Sequence, residues 1–240
     1  MKTIEVCLSP ALYKYIKTHD KFIVVIVDVL RATTAFCAAF DSGTETLLPV
    51  SGLEELLELK NLGYLTAAER EGKKVNFADF GNSPTIFLQN NLTGKNLAYS
   101  TTNGTQAVEM AKSSGNIVAA AFTNLNAVCD WLVRQETNIV ILCSGWKNTF
   151  SLEDTLCAGA LVEELEISGR YAHSCDAAFS ALQLWQQSKP DFLNVVQKAN
   201  HFQRLYNMGL TEDLKYCFVL NSSSAIPVWD GLKFRNAGIK

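Results

Sequence analysis

Four short clusters of this sequence carry side chains able to grip or cleave an anion. Asp28-Val29-Leu30-Arg31-Ala32-Thr33-Thr34 follows the apolar run Phe22–Val27, and Ser100-Thr101-Thr102-Asn103-Gly104-Thr105 follows Asn96–Tyr99. Cys143-Ser144-Gly145 follows Asn138–Leu142, and Glu69-Arg70 follows Tyr64–Ala68. Hydroxyls and free backbone N–H groups at a helix start bind anions, helped by the helix dipole. Thr33, Thr34, Thr101, Thr102, Asn103 and Thr105 fit that chemistry, and Gly104 lets the backbone approach a ligand closely. Arg31 can hold a phosphate or carboxylate through two parallel hydrogen bonds. Asp28, Glu153 and Asp154 are carboxylates of the kind that hold magnesium, with Glu69 and Asp176 as further candidates. The same residues have plainer uses. Thr33, Thr34, Asn103 and Asp154 also suit helix capping, Asp28 a turn, and Glu69-Arg70-Glu71 a solvated charge cluster.

Such clusters need a scaffold, and the hydrophobic pattern supplies one. Phe22–Val27 and Asn138–Cys143 are continuous apolar runs, as expected of strands buried on both faces. Weaker strand signals cover Thr46–Val50, Tyr64–Ala68, Asn96–Tyr99 and Ile117–Ala121. Helical signals cover about Thr33–Phe40, Gly52–Lys60, Gly104–Lys112, Asn126–Gln135 and Glu153–Ile167. Asn82-Ser83-Pro84 reads as a helix start, a capping side chain ahead of a first-turn proline. From about Ala177 to Asn207 the chain reads as helical, broken at Lys189-Pro190, and Ile226–Asp230 reads as an edge strand. This alternation predicts an α/β fold in one domain spanning residues 1–240, with a largely parallel or mixed sheet between helical layers. Each anion-type cluster then lies where a strand ends, the place where open α/β sheets bind ligands.

Composition narrows the function. With 240 residues and 48% hydrophobic content, the chain can build a sizeable core. A net charge of −3 argues against a nucleic-acid face, and no basic run points to an anionic membrane. No apolar stretch approaches a membrane span, and the first residues do not read as a signal peptide. Seven cysteines without a C-x-x-C pattern read as reduced thiols of a cytoplasmic protein. Three histidines without metal spacing leave carboxylates as the expected holders of any metal. Phosphate-loop, dinucleotide and nucleophile-elbow motifs are all lacking. Of the tryptophans, Trp146 is the one expected beside the strand ends.

Four motifs in order carry a family resemblance. Asp28-Val-Leu-Arg31-Ala-Thr33-Thr34, Phe80-Gly81-Asn82-Ser83-Pro84, Thr101-Thr102-Asn103-Gly104-Thr105 and Ser151-Leu-Glu153-Asp154-Thr-Leu-Cys157-Ala-Gly159 resemble those of the 2-phosphosulfolactate phosphatase (ComB) family. The resemblance runs from about residue 3 to 230. It implies a ComB-like layered α/β/α architecture, distinct from the haloacid dehalogenase phosphatases. It also implies a Mg2+-dependent phosphatase that hydrolyses (2R)-phospho-3-sulfolactate to 3-sulfolactate and phosphate, a step of coenzyme M biosynthesis. Asp28, Arg31, Glu153 and Asp154 become the expected catalytic residues, and Asp28, Glu69 and Asp154 the expected metal ligands. Arg31, Thr33, Thr34, Asn82, Thr101, Thr102, Asn103, Gly104 and Thr105 become the expected substrate contacts. Ala68 stands where the family pattern has glycine, and Asn221 where it has an acidic residue. The expected partner is a small anionic phosphorylated substrate, with no nucleic acid and no membrane; a homo-oligomer stays open.

Overall fold

The computed structural model describes residues 1–16, 21–101 and 104–238. Its strands are β1 (Lys2–Cys7), β2 (Phe22–Val27), β3 (Thr46–Pro49), β4 (Leu65–Arg70), β5 (Lys73–Lys74), β6 (Asn96–Ser100), β7 (Ile117–Ala120), β8 (Asn138–Cys143), β9 (Tyr171–His173), β10 (Pro227–Trp229) and β11 (Phe234–Asn236). The helices are α1 (Pro10–Tyr13), α2 (Ala32–Asp41), α3 (Leu53–Asn61), α4 (Pro84–Leu88), α5 (Gly104–Ala111), α6 (Leu125–Gln135), α7 (Leu152–Ile167), α8 (Asp176–Ser188), α9 (Phe192–Val196), α10 (Asn200–Asn207) and α11 (Thr211–Cys217). All strands join one sheet of order β5-β4-β6-β3-β11-β10-β7-β2-β8-β1-β9.

The expected α/β architecture is present, with two parallel blocks. One is β4-β6-β3 and the other β7-β2-β8-β1-β9. Between them, β10 and β11 pair antiparallel with each other, with β7 and with β3. The segment expected at the sheet edge therefore sits inside it. Trp229 and Phe234 explain why: both rings are buried and meet at 5.3 Å, so the hairpin must be covered on its flanks. Lys2–Cys7 forms a strand that the sequence reading passed over.

Three consecutive antiparallel ladders reverse strand sense between the blocks. In a flat sheet this would put their carboxyl ends on opposite edges. The sheet instead curls around α2, as strand twist allows. Val24 and Ile26 of β2, Leu47 of β3, Ala67 of β4, Leu97 and Tyr99 of β6 and Ile117 of β7 share one apolar cluster with Phe36 and its neighbours on α2. Alternate residues of β2, Ile23, Val25 and Val27, face the opposite cluster, which α6, α7 and α8 complete. Helices α7 and α8 touch so closely that a Cβ on Gly159 would lie 2.1 Å from the Ala181 carbonyl oxygen. A third cluster packs Leu56 of α3 on Ala68 and Ala98.

Candidate active site

The end of β2 is built around its own turn. Asp28 Oδ1 accepts the Ala32 N–H at 3.2 Å. The Thr33 hydroxyl accepts from the Asp28 N–H at 3.0 Å and donates to the Asp28 carbonyl at 2.9 Å. The Thr34 hydroxyl donates to the Val29 carbonyl at 2.9 Å. Both threonines are buried. Their hydroxyls are spent on the turn, so they shape it rather than line the cleft; nor do they cap α2, whose N-cap residue Arg31 makes no side-chain capping bond. The peptide Leu30–Arg31 is cis.

This turn presents Arg31, and two other segments clamp it. Arg31 Nη1 donates to Asp213 Oδ2 at 2.5 Å and Nη2 donates to Asn82 Oδ1 at 2.5 Å. Asp213, on α11, is fully committed to the region. Its Oδ1 accepts the hydroxyls of Ser83 and Thr85, each at 2.6 Å. Ser83 is the expected cap of α4, accepting from the Ile86 N–H at 3.3 Å with Pro84 following. Arg31 and Asp213 are 4% and 3% exposed, so breaking the pair would strand a buried charge. Two N–H bonds hold the guanidinium's orientation, and among the described residues its remaining donors have no further hydrogen bond, which leaves them for a ligand.

The carboxylates lie close to this clamp. Asp28, Glu153 and Asp154 are buried, and Glu69 is nearly so. Burial pushes the Asp28 carboxyl up to about 6; the Ala32 N–H and His201 oppose the rise, while Glu153 and Glu69 add to it. Burial, then the Glu153 and Asp28 charges, hold Asp154 well above the ordinary carboxyl range. Each Asp154 oxygen has a backbone donor, Val29 N–H at 2.9 Å and Gly145 N–H at 3.0 Å. Asp154 thereby ties α7 to the ends of β2 and β8. Gly145 is required at that junction: its φ is +60° and a Cβ would lie 2.2 Å from the Thr149 carbonyl oxygen. Glu153 Oε1 meets His201 Nδ1 at 3.2 Å, and Glu69 Oε2 accepts the Gly72 N–H at 2.5 Å.

A cleft of about 660 Å³ collects these parts. Asp28, Arg31, Glu69, Asn82 and Thr101 line it, as does Trp146. Residues from four strand ends therefore meet, Asp28, Thr101 and Trp146 after β2, β6 and β8 and Glu69 within β4. Strand β4 runs on through the Glu69-Arg70 pair expected to follow it. The curl around α2 gathers these ends and no flat rim does. The Thr101 side chain lines the cleft, and its buried hydroxyl has no hydrogen-bond partner among the described residues. Thr105 instead accepts the Thr101 N–H at 3.0 Å. Gly104 opens α5; Thr102 and Asn103 lie outside the described residues. Glu153 and Asp154 lie off the cleft lining, and among the described residues no three His, Cys, Asp or Glu side chains gather as a metal-binding group. The expected trio Asp28, Glu69 and Asp154 is therefore not a closed ligand set. The donor chemistry still suits a hard cation: Asp28 and Glu69 bring oxygen donors to the cleft, and magnesium commonly takes one or two carboxylates with water and substrate phosphate.

Residues 7–231 match the family model described as 2-phosphosulpholactate phosphatase. The chain belongs to the 2-phosphosulfolactate phosphatase family. A relative from Microcystis aeruginosa named "Probable 2-phosphosulfolactate phosphatase" is 37% identical over 210 residues, covering 85% of this chain and 87% of the relative. A relative of the same name from Thermotoga maritima is 34% identical over 205 residues, with coverage of 85% and 87%. One from Carboxydothermus hydrogenoformans is 36% identical over 214 residues, covering 88% of each chain.

Against this family's pattern, the two departures fall away from the cleft. Ala68 is buried under α3. Asn221 accepts the Asn126 N–H at 2.8 Å, near the start of α6. The acidic residue that the C-terminal region does bring in is Asp213. The sequence reading also missed His201, Lys147 and Arg204, all of which line the cleft. A signal for two of them existed. His201, Arg204, Leu205 and Met208 recur at helical spacing and all face the cleft, while Phe202 and Tyr206 face a separate apolar groove.

Proposed function

We propose that this chain is a magnesium-dependent phosphomonoesterase that converts 2-phosphosulfolactate to 3-sulfolactate and phosphate. The observation that carries the reading is the meeting of three groups in one cleft: the clamped Arg31, the buried Asp28 carboxylate and Thr101, whose hydroxyl has no partner among the described residues. Arg31 and Thr101 hold phosphate oxygens, with most benefit where charge develops in the transition state. Asp28 and Glu69 would hold magnesium, which when bound neutralises phosphate charge. Asp154 fixes the Val29 and Gly145 backbones, so the turn bearing Asp28 and Arg31 cannot drift. The Glu153 and Glu69 charges beside the buried Asp28 carboxyl favour a cation at this place. The proposed setting is the cytoplasm, in coenzyme M biosynthesis, and seven unpaired cysteines suit a reducing compartment.

The test is phosphate release from 2-phosphosulfolactate with and without magnesium. Release is expected with the metal and should vanish with a chelator. Release that survives chelation would overturn the metal assignment, and no release from any phosphate ester would overturn the hydrolase. A second reading, another phosphorylated hydroxy acid as substrate, is favoured by the lining itself: its lysine and arginine side chains attract carboxylate as well as sulfonate. A panel of phosphorylated acids ranked by kcat/KM separates the two.

A further inference from the structure

The cleft has a second positive pole, distinct from Arg31 and more exposed. Trp146 stands at its wall and gathers three basic side chains. Arg204 lies over the indole at 5.6 Å, Lys147 at 5.1 Å, and the His201 ring stacks on it at 5.9 Å with 24° between planes. Arg204 also reaches the opposite wall: a Cβ built on Gly72, in the turn between β4 and β5, would lie 3.5 Å from its Nη2. The guanidinium therefore spans from the loop after β8 to the turn after β4. Arg31, Arg170 and Arg235 each hold a carboxylate. Arg204 pairs with no carboxylate among the described residues, although Glu69 and Glu71 share its cleft.

An arginine face laid on an aromatic ring keeps its N–H edge free. That edge is the part able to hold an oxyanion through two hydrogen bonds. We propose that Arg204, supported by Trp146, is a distal anion subsite that binds the second strong-acid group of the substrate, a sulfonate or carboxylate, while Arg31 takes the phosphate. This rests on the phosphatase reading and makes Arg204 a specificity determinant for esters that carry an anion at both ends. It also assigns a task to α10, whose His201 and Arg204 come from a segment with no cluster of the anion-binding type.

The test compares wild type, Arg204→Gln and Arg204→Lys on three esters: 2-phosphosulfolactate, 2-phospholactate and an aryl phosphate with no second anion. In Arg204→Gln the ratio of kcat/KM for phosphosulfolactate over aryl phosphate should fall by about 30-fold, the weight of a charge-assisted hydrogen bond. Arg204→Lys should recover part of that ratio. A larger loss with phosphosulfolactate than with phospholactate assigns the pole to sulfonate, and an equal loss assigns it to carboxylate. A ratio held within about threefold in Arg204→Gln overturns the subsite. Calorimetric binding of 3-sulfolactate, which needs no turnover, is the second arm. The variant should bind it more weakly than wild type, and unchanged binding counts against the proposal. If wild type cleaves no ester yet binds sulfolactate through Arg204, the hydrolase reading fails while the subsite stands.

Discussion

Helix α10 divides two cavities of similar size and opposite chemistry. On one side is the cleft of about 660 Å³ that holds Asp28 and Arg31. On the other is a groove of about 600 Å³, lined mainly by Leu193, Val196, Phe202, Tyr206, Leu214 and Phe218. Volume alone cannot tell which is functional. Burial of ionisable groups can. The cleft retains desolvated carboxylates and a clamped guanidinium, each of which costs folding free energy and is tolerated where chemistry needs it. The groove has no such tension. Its buried members Val196, Leu214 and Phe218 are ordinary core, and its exposed Leu193 and Tyr206 are single surface apolar residues of the kind most proteins carry. Variants on the two sides of α10 should therefore behave differently.

The largest effect is expected at Asp28. Asp28→Asn keeps the shape and the Ala32 contact but removes the charge. With saturating magnesium, kcat for phosphate release should fall by about 10³-fold, the scale of losing one main electrostatic group. Wild-type turnover in this variant would remove Asp28 from metal holding. Asp213→Asn comes next. It removes the charge that holds Arg31 and breaks a pair worth about 3–5 kcal/mol to separate. A misplaced Arg31 should lower kcat/KM by about 10²-fold, and the melting temperature should drop with it. Ser83→Ala is the milder companion, removing the 2.6 Å bond to Asp213 and the cap bond from the Ile86 N–H. If Asp213→Asn lost stability yet kept full kcat/KM, the clamp would be structural only.

These variants also mark where sequence reading succeeded and where it failed. Asp28 and Arg31 were legible because they directly follow a continuous apolar strand, a local pattern. Ser83 was legible as a cap for the same reason. Asp213 was not. It sits in a short helix 182 positions from Arg31, and no local period announces a partner that distant. The threonines were over-read: hydroxyls at a helix start satisfy their own turn or a ligand equally well, and only the distances of Thr33 and Thr34 to Asp28 and Val29 decide. The strand at Lys2–Cys7 was passed over although Ile4 and Val6 alternate with more exposed neighbours. Its polar start hid the period of two. The place of Ile226–Asp230 was misjudged because register in a sheet is set by partners, here β7 and β11, which the segment itself does not reveal.

The comparison also has a pH signature, smaller than the two catalytic losses. Asp28 titrates near 6 in the fold against an ordinary value of 3.8, and Asp154 is raised as well. A carboxyl raised on folding lends stability below its unfolded value and loses it as pH climbs through the folded value. Metal-free protein should therefore melt higher at pH 5 than at pH 7. Asp28→Asn should flatten that slope, with about 2–4 °C for each kcal/mol removed. Below about pH 4 the trend should turn over, because Asp79, Glu163 and Asp230 are held low by their partners and that stabilisation is lost as pH falls toward their lowered values. Melting curves of both proteins from about pH 3 to about pH 8 check this, and parallel curves would show that the cleft carboxylates are not under strain.

The smallest effect should come from the groove side of α10. Tyr206→Ala and Leu193→Ser alter side chains that are 55% and 49% exposed, so stability should change by no more than about 0.5 kcal/mol. Substrate selectivity should not move either, because neither residue lines the cleft. Tyr206 makes this a sensitive control, since it sits two positions from Arg204 on the same helix. In a helix, neighbours two apart point to different faces. A shift in the phosphosulfolactate to aryl phosphate ratio on replacing Tyr206 would mean that α10 rotates or slides as a unit, so that the groove is coupled to the cleft and the contrast between them fails. An unchanged ratio, with Arg204→Gln changing it strongly, places discrimination on one face of one short helix.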